Sequence, residues 1–222
     1  MKRKIIITDD GSKTIHIENW NEQYHSKHGA IQEADHVFLQ NGFHHCLDLK
    51  EYSKLSILEI GFGTGLNAFM TLLEANRLEQ PVRYTGIEGY PISDEEINQL
   101  NYAEMMTPES DVPFMKLHSS PWEEPISIST YFLLTKRKFF FSEIKDLNSY
   151  DLIYFDAFGA RVQPELWTEP VFKIMFNALK DQGVLVTYSA KGSARRAMEA
   201  VGFSVERLQG PPGKRHMLRA TK

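Results

Sequence analysis

Leu58-Glu59-Ile60-Gly61-Phe62-Gly63-Thr64-Gly65-Leu66-Asn67 runs from a short apolar strand into three alternate glycines, just where a helical pattern begins. Ile57 to Ile60 has the length of a buried strand, and Leu66, Phe69, Met70 and Leu73 then recur on one helical face through Leu78. Glycines at such a junction let the backbone turn sharply and let a ligand lie against it. The junction falls at the carboxyl end of a first strand, where open α/β sheets bind ligands. The dinucleotide fingerprint needs its third glycine one residue later than Gly65, so the spacing speaks against a nicotinamide dinucleotide. A tight βα turn with no ligand is the plainer explanation of the same three glycines.

Outward from this stretch, strands alternate with helices. A second strand is expected over Val82 to Glu88, followed by Ser93 as an N-cap with Glu96 three residues on. Phe114 to Leu117 reads as a third strand, 125–148 as an inserted hairpin, and Asp151 to Asp156 as a fourth strand with its crossover helix at Glu169 to Leu179. Gly183 to Tyr188 leads into a helix at Ser193 to Val201, and the turn-rich stretch 209–213 joins two last strands at Phe203 to Leu208 and Lys214 to Ala220. This alternation predicts an α/β fold whose seven-stranded, mostly parallel sheet is covered on both faces and carries an antiparallel edge. Upstream, Asp10-Gly11 is a hairpin turn signal within Lys4 to Ile17, and Ile31, Ala34, Val37 and Phe38 predict a helix that stops near Asn41-Gly42. Residues 1–50 are thus expected as a hairpin and cap segment packed on a main domain of residues 51–222.

The 222 residues are 42 % hydrophobic and 24 % charged, enough for one sizeable core and cramped for two domains. Cys46 is the single cysteine, the opening Met-Lys-Arg-Lys-Ile stretch is too short for a signal segment, and no run approaches eighteen apolar residues. The expectation is a soluble, cytoplasmic protein with no membrane association. Net charge is −4, yet 187–222 holds eight basic residues against Glu199 and Glu206, so this end is +6 on a body of −10. A basic end on an acidic body suits either a polyanion-binding face or salt bridges within the molecule. His25, His28, His36, His44 and His45 lack an ordered ligand spacing, and no metal is expected.

Glu88 closes the second strand 25 residues after Gly63, where a carboxylate can accept hydrogen bonds from both hydroxyls of a ribose. Glycine loop and strand-end acid together point to a nucleoside cofactor. In this arrangement the chain resembles the class I S-adenosylmethionine-dependent methyltransferases, Rossmann-like folds whose first strand ends in Glu-x-Gly-x-Gly-x-Gly, here Glu59 to Gly65. The resemblance implies that Glu59, Gly61, Phe62, Gly63, Thr64, Gly65, Asn67 and Glu88 form the cofactor side. It also implies that Ser119 and Trp122, after the third strand, border the adenine, although many members place an acid there. Asp156-Ala157-Phe158 ends the fourth strand opposite the transferred methyl. Transfer to an amine needs a free lone pair held in line, so a carboxylate that takes or orients the amine proton makes Asp156 the catalytic candidate. Ala157 and Phe158 join the cofactor side, and Phe158 can also stack on a target base.

A narrower resemblance rests on Tyr24-His25-Ser26-x-x-Gly29-Ala30-x-x-Glu33, Asp156-Ala157-Phe158, Gln163-Pro164-Glu165-Leu166-Trp167, Thr187-Tyr188-Ser189-Ala190-Lys191-Gly192 and Gly213-Lys214-Arg215-x-Met217-Leu218. With the glycine loop, these are similar to the methyltransferase domains of bifunctional tRNA 5-methylaminomethyl-2-thiouridine biosynthesis proteins, from about Tyr24 to Ala220. The family implies methylation of the aminomethyl group on a tRNA wobble uridine, with Tyr24 and Glu33 beside S-adenosylmethionine. It implies that Lys191, Arg195, Lys214 and Arg215 position the anticodon stem-loop through its phosphates. It further implies a functional link to an oxidase or other enzymes that supply the aminomethyl substrate, and a methyltransferase standing alone, since the sequence stops at Lys222. Three other readings stay open. A methyltransferase or aminopropyltransferase-like enzyme for a small free amine would not depend on the basic end, and a noncatalytic RNA-binding module would bind tRNA without Asp156. A nicotinamide oxidoreductase is disfavoured by the glycine spacing.

Overall fold

Three short strands, β1 (Arg3–Ile7), β2 (Lys13–Ile17) and β3 (Glu22–Gln23), form a small antiparallel sheet at the start of the computed structural model, which describes residues 2–107 and 111–222. Met1 of the Met-Lys-Arg-Lys opening lies outside the described residues. Asp10-Gly11 makes the hairpin turn, with Gly11 at φ +85°. Continuous helix follows as α1 (Ala30–Ala34), a π-helical stretch Asp35–His44 and α2 (His45–Leu49). The helix therefore does not stop at Asn41-Gly42. A Cβ at Gly42 would meet Val186 and Tyr154 at 3.0 and 3.1 Å, so this glycine serves close packing of the helix on the sheet, not a helix end.

The main sheet grows from β4 (Leu55–Ile60), which passes through the glycine loop into α3 (Leu66–Arg77) and back to the parallel strand β5 (Val82–Ile87). Three short helices come next: α4 (Asp94–Ile97), α5 (Tyr102–Met106) and α6 (Val112–Ser119). Ser93 and Glu96 form a reciprocal capping box at the start of α4. The hairpin β6 (Pro125–Ser129) and β7 (Phe132–Arg137) then places β7 parallel to β5. The chain crosses to the other side of β4 for β8 (Tyr150–Phe155), returns through α7 (Glu169–Ala178) to β9 (Leu179–Thr187), and ends with α8 (Gly192–Val201), β10 (Ser204–Gln209) and β11 (His216–Thr221). The strand order is β10-β11-β9-β8-β4-β5-β7-β6, with five parallel strands flanked by antiparallel ones.

Two sequence expectations are corrected here. Phe114 to Leu117 is helix, not strand: Pro113 sits in the first turn of α6, where a missing N–H costs nothing, and Phe114 and Leu117 face the core one turn apart. The segment read as an inserted hairpin is instead part of the sheet, because β7 holds the place beside β5. Among the described residues the main sheet thus has eight strands, not seven.

Residues of the central strands alternate between two cores. Ile57, Leu152, Tyr154, Val184 and Val186 pack with α3, α6 and the Ala30 to Leu49 helix, whereas Leu58, Ile60, Ile153, Phe155 and Leu185 pack with α7 and α8. The helix of the first fifty residues is therefore one covering layer of the sheet. Phe155, Trp167 and Phe172 form an aromatic cluster with centroids 5.1 to 6.3 Å apart, Trp167 meeting both phenylalanines edge to face. Deleting one such ring costs about 3–5 kcal/mol. Strand order reverses between β4 and β8, which opens a crevice at their carboxyl ends, the position where open α/β sheets hold ligands. Among the described residues, no helix is long and apolar enough to cross a membrane.

Candidate active site

The glycine loop closes tightly over β5 and β8. Gly61 and Phe62 donate their N–H groups to the Ile87 carbonyl at 3.0 and 2.9 Å. Gly61 has φ +89°, and a Cβ there would lie 2.7 Å from the Asp156 carbonyl oxygen. At Gly63, φ +49°, a Cβ would press the Tyr24 ring at 3.0 Å. Glu88 organises this loop, accepting from the Gly63 N–H at 2.9 Å on one carboxylate oxygen and from the Tyr90 N–H at 2.8 Å on the other.

Asp156, at the end of β8, faces the same space. Asn67, in the first turn of α3, donates from Nδ2 to Asp156 Oδ2 at 2.9 Å and to Glu59 Oε1 at 3.0 Å. Enclosure pushes the Asp156 carboxyl up to about 7; Glu33 adds to the shift, while the Asn67 bond and Lys214 oppose it. Glu59 is fully buried, and burial raises its pKa well above the carboxylate range, with Asp156 adding to the shift. Among the described residues, its Oε2, Asn67 Oδ1 and the Tyr84 hydroxyl have no hydrogen-bond partner.

The amino-terminal segment supplies the opposite wall. Glu33 in α1 accepts the Ser26 N–H at 2.8 Å and pairs with Lys214, whose Nζ sits 4.2 Å from the Tyr188 ring centroid. Tyr188 donates to the Ala157 carbonyl at 2.8 Å. Phe158 meets Tyr24 and Trp20 edge to face at 5.0 and 5.6 Å, and Trp167 donates to the Phe158 carbonyl at 2.8 Å, fixing the loop after β8. His25 accepts or donates at Thr14 Oγ1, 2.8 Å away, and burial pushes its pKa down to about 4, so it is neutral at physiological pH.

These groups surround a cavity of about 720 Å³, within the range of sites for small organic ligands. Tyr24, Glu33, Gly61, Phe62, Gly63, Thr64, Asn67, Glu88, Asp156, Ala157, Phe158 and Lys214 line it. Glu59 and Gly65 do not: Glu59 lies behind Asn67, and Gly65 starts α3 against His118. Ser119 and Trp122 are also off the cavity. Ser119 is exposed at the end of α6, and Trp122 packs on the Lys136 ammonium, 4.8 Å from its ring centroid, because the strand expected to carry them is a helix. The true neighbour of β5 ends at β7, and the Phe140, Phe141 and Ser142 that follow it line the cavity instead. Lys191, Arg195 and Arg215 lie outside, with Arg195 paired to Glu199 at 2.8 Å on its own helix. Lys214, read from sequence as a phosphate contact, is turned into the cavity.

Trp20, Tyr90, Phe140 and Phe141 line the cavity without having been singled out in the sequence. Trp20 carries no local signal. Phe139-Phe140-Phe141 does, as an aromatic run after a strand. The donor set suits an adenosyl sulfonium: a carboxylate for vicinal hydroxyls, a backbone stripped of Cβ atoms, aromatic walls and an acidic lining. Among the described residues, no group of three or more His, Cys, Asp or Glu could hold a metal ion.

Residues 130–222 match a family described as S-adenosyl-L-methionine-dependent methyltransferase. The chain is 27 % identical over 216 residues to the tRNA 5-methylaminomethyl-2-thiouridine biosynthesis bifunctional protein MnmC of Idiomarina loihiensis, covering 90 % of this chain and 35 % of that protein. MnmC2 from Aquifex aeolicus superposes with TM-score 0.80 at 25 % identity, over 99 % of this chain and 70 % of that one. Over residues 130–222 the chain resembles the S-adenosyl-L-methionine-dependent methyltransferases. It spans about a third of the length of the curated relatives it matches. A spermidine synthase from Thermotoga maritima shares the fold of this chain, with TM-score 0.59 at 14 % identity.

Proposed function

We propose that this chain is an S-adenosylmethionine-dependent methyltransferase that methylates the aminomethyl nitrogen of 5-aminomethyl-(2-thio)uridine at the wobble position of tRNA, yielding 5-methylaminomethyl-(2-thio)uridine. The observation that carries the reading is Asp156, an enclosed carboxyl with a pKa of about 7 at the strand end facing the glycine loop. S-adenosylmethionine supplies, when bound, an electrophilic sulfonium methyl. Glu88 and the Gly61 to Gly65 loop would hold its nucleoside and methionine parts, with Tyr24 and Glu33 on the far wall and Phe140 and Phe141 beside the base.

Asp156 acts on the acceptor. A primary amine is mostly protonated at neutral pH and has no free lone pair; a carboxylate beside it takes one proton while enclosure favours the neutral amine. The neutral nitrogen could then accept the methyl, and the proton it gave up rests on Asp156. Tyr24, Trp20 and Phe158 offer ring faces and edges to a uracil turned out of its stack, as enzymes acting on bases require. Lys191 and Arg215, exposed outside the cavity, are the candidates for phosphate contacts, and Arg195 joins them only by leaving Glu199. The substrate makes the cytoplasm the place of action, and the aminomethyl group must come from enzymes that install or trim it, an oxidase among them.

The test is transfer of labelled methyl to tRNA carrying 5-aminomethyluridine, compared with unmodified tRNA and with Asp156→Ala. Label confined to the aminomethylated tRNA, and reduced about 100-fold in the variant, is the expected result. Equal label on free small amines and none on tRNA would overturn the substrate.

A further inference from the structure

Lys214 reaches the cavity by a specific route. Gly213, at φ +80°, lies so close to the His28 ring that it leaves no room for a Cβ, and the turn closes through the Lys214 N–H on the Pro211 carbonyl at 2.9 Å. The Lys214 side chain then enters between α1 and the end of β9, where its ammonium pairs with Glu33 and lies over the Tyr188 ring. Tyr188 in turn is tied to the Ala157 carbonyl, the residue after Asp156. A lysine held by a buried carboxylate and a ring face is poorly placed to reach a phosphate on the molecular surface.

Three carboxyls converge here. Glu59 faces Asp156 from β4, Glu33 from α1, and Lys214, from the turn before β11, is the cation that acts on Asp156 against them. Tyr188, from the end of β9, is held neutral by burial, and the Asn67 amide carries no charge. We infer that Lys214 is a positioning residue for the reaction, its ammonium neutralising Glu33 so that Asp156 can ionise beside the amine. This rests on the reading of Asp156 as the proton acceptor.

Without Lys214 the Glu33 charge acts on Asp156 unopposed, and like charges at short range disfavour ionisation. The same burial that makes the pair close makes screening by salt weak. Glu33 thereby gains a second role besides shaping the cofactor wall: its charge is useful only while Lys214 answers it.

The experiment follows the Asp156 carboxyl by carbon-detected NMR titration in the free protein, assigned by Asp156→Asn, with the pH profile of methyl transfer measured in parallel. Lys214→Met is expected to raise the Asp156 midpoint by about one pH unit or more, and the acidic limb of the rate profile with it. Lys214→Arg should return the midpoint towards wild type, and Glu33→Gln with Lys214→Met should bring it back down, which also shows that the variant fold is intact. An unmoved midpoint in Lys214→Met overturns the assignment. So does a variant whose only change is a higher, salt-dependent KM for tRNA, which would make Lys214 a phosphate contact. A shifted midpoint with no transfer to aminomethylated tRNA by any form sustains Lys214 and sinks the substrate reading instead.

Discussion

Asn67 holds Asp156 from the first turn of α3, donating Nδ2 to Oδ2 at 2.9 Å, and the same nitrogen reaches Glu59 at 3.0 Å. One amide thus spans two carboxyls on neighbouring strands and opposes the rise in the pKa of each. Asn67→Ala should raise the Asp156 pKa further, move the acidic limb of kcat/KM to higher pH, and lower the rate at pH 7 about tenfold, the equivalent of one charge-assisted hydrogen bond. A uniform loss at all pH values, with the limb in place, would mean that Asn67 serves only the fold.

The raised pKa of Asp156 also sets a pH dependence of stability. The carboxyl titrates near 7 in the folded protein and near 3.8 when unfolded. Between those values the folded state keeps a proton that the unfolded state releases, so stability falls as pH rises from about 4 to 7 and levels off above. Asp156→Asn removes this dependence. At pH 8 it should be the more stable protein by up to about 4 kcal/mol relative to its difference at pH 4, an upper figure because Asp156 stays partly open to the cavity. Urea unfolding at both pH values measures it, and a gap that does not change with pH refutes it.

The central architecture was legible because its signals are local. Leu66 to Leu78 has a helical face, Val82 to Glu88 and Asp151 to Asp156 are apolar strands, and Gly61 to Gly65 can only be a turn, so the crevice and its two acids, Glu88 and Asp156, followed. The flank of the sheet was not legible. Over the four residues Phe114 to Leu117, strand and helix periods cannot be told apart, and β7 buries Lys136 in a row with Phe132 and Leu134, so a charge interrupts its apolar inward face. The direction of Lys214 was hidden for a different reason. Charge along the chain says which end is basic, and only the packing of Gly213 against His28 says that this lysine points inward.

That misplaced flank makes a discriminating pair of variants. Phe141 follows β7 and lines the cavity, whereas Trp122 packs on Lys136 and, at 6.4 Å, on Phe62 away from it. Phe141→Ala should weaken S-adenosylmethionine binding by about tenfold, the loss of one aromatic contact of 1–1.5 kcal/mol. Trp122→Ala should lower the melting temperature and change the affinity by less than about threefold. Calorimetric titration of both decides it, and a larger loss at Trp122 would return the adenine to the end of α6.

Glu88 accepts two backbone N–H groups, from Gly63 and Tyr90, and so shapes the glycine loop before any ligand is bound. A carboxylate has room for about four hydrogen bonds, leaving two acceptor positions for vicinal hydroxyls. Glu88→Gln keeps the shape but replaces one acceptor oxygen by a donor nitrogen, which faces either a backbone N–H or a hydroxyl that it cannot accept from. The expected result is a 10- to 100-fold loss of S-adenosylmethionine affinity, about 1.4–2.8 kcal/mol. S-adenosylhomocysteine should lose as much, because it carries the same ribose, whereas methionine alone should be unaffected. Equal weakening of all three in a titration would show that Glu88 acts only by bracing the loop.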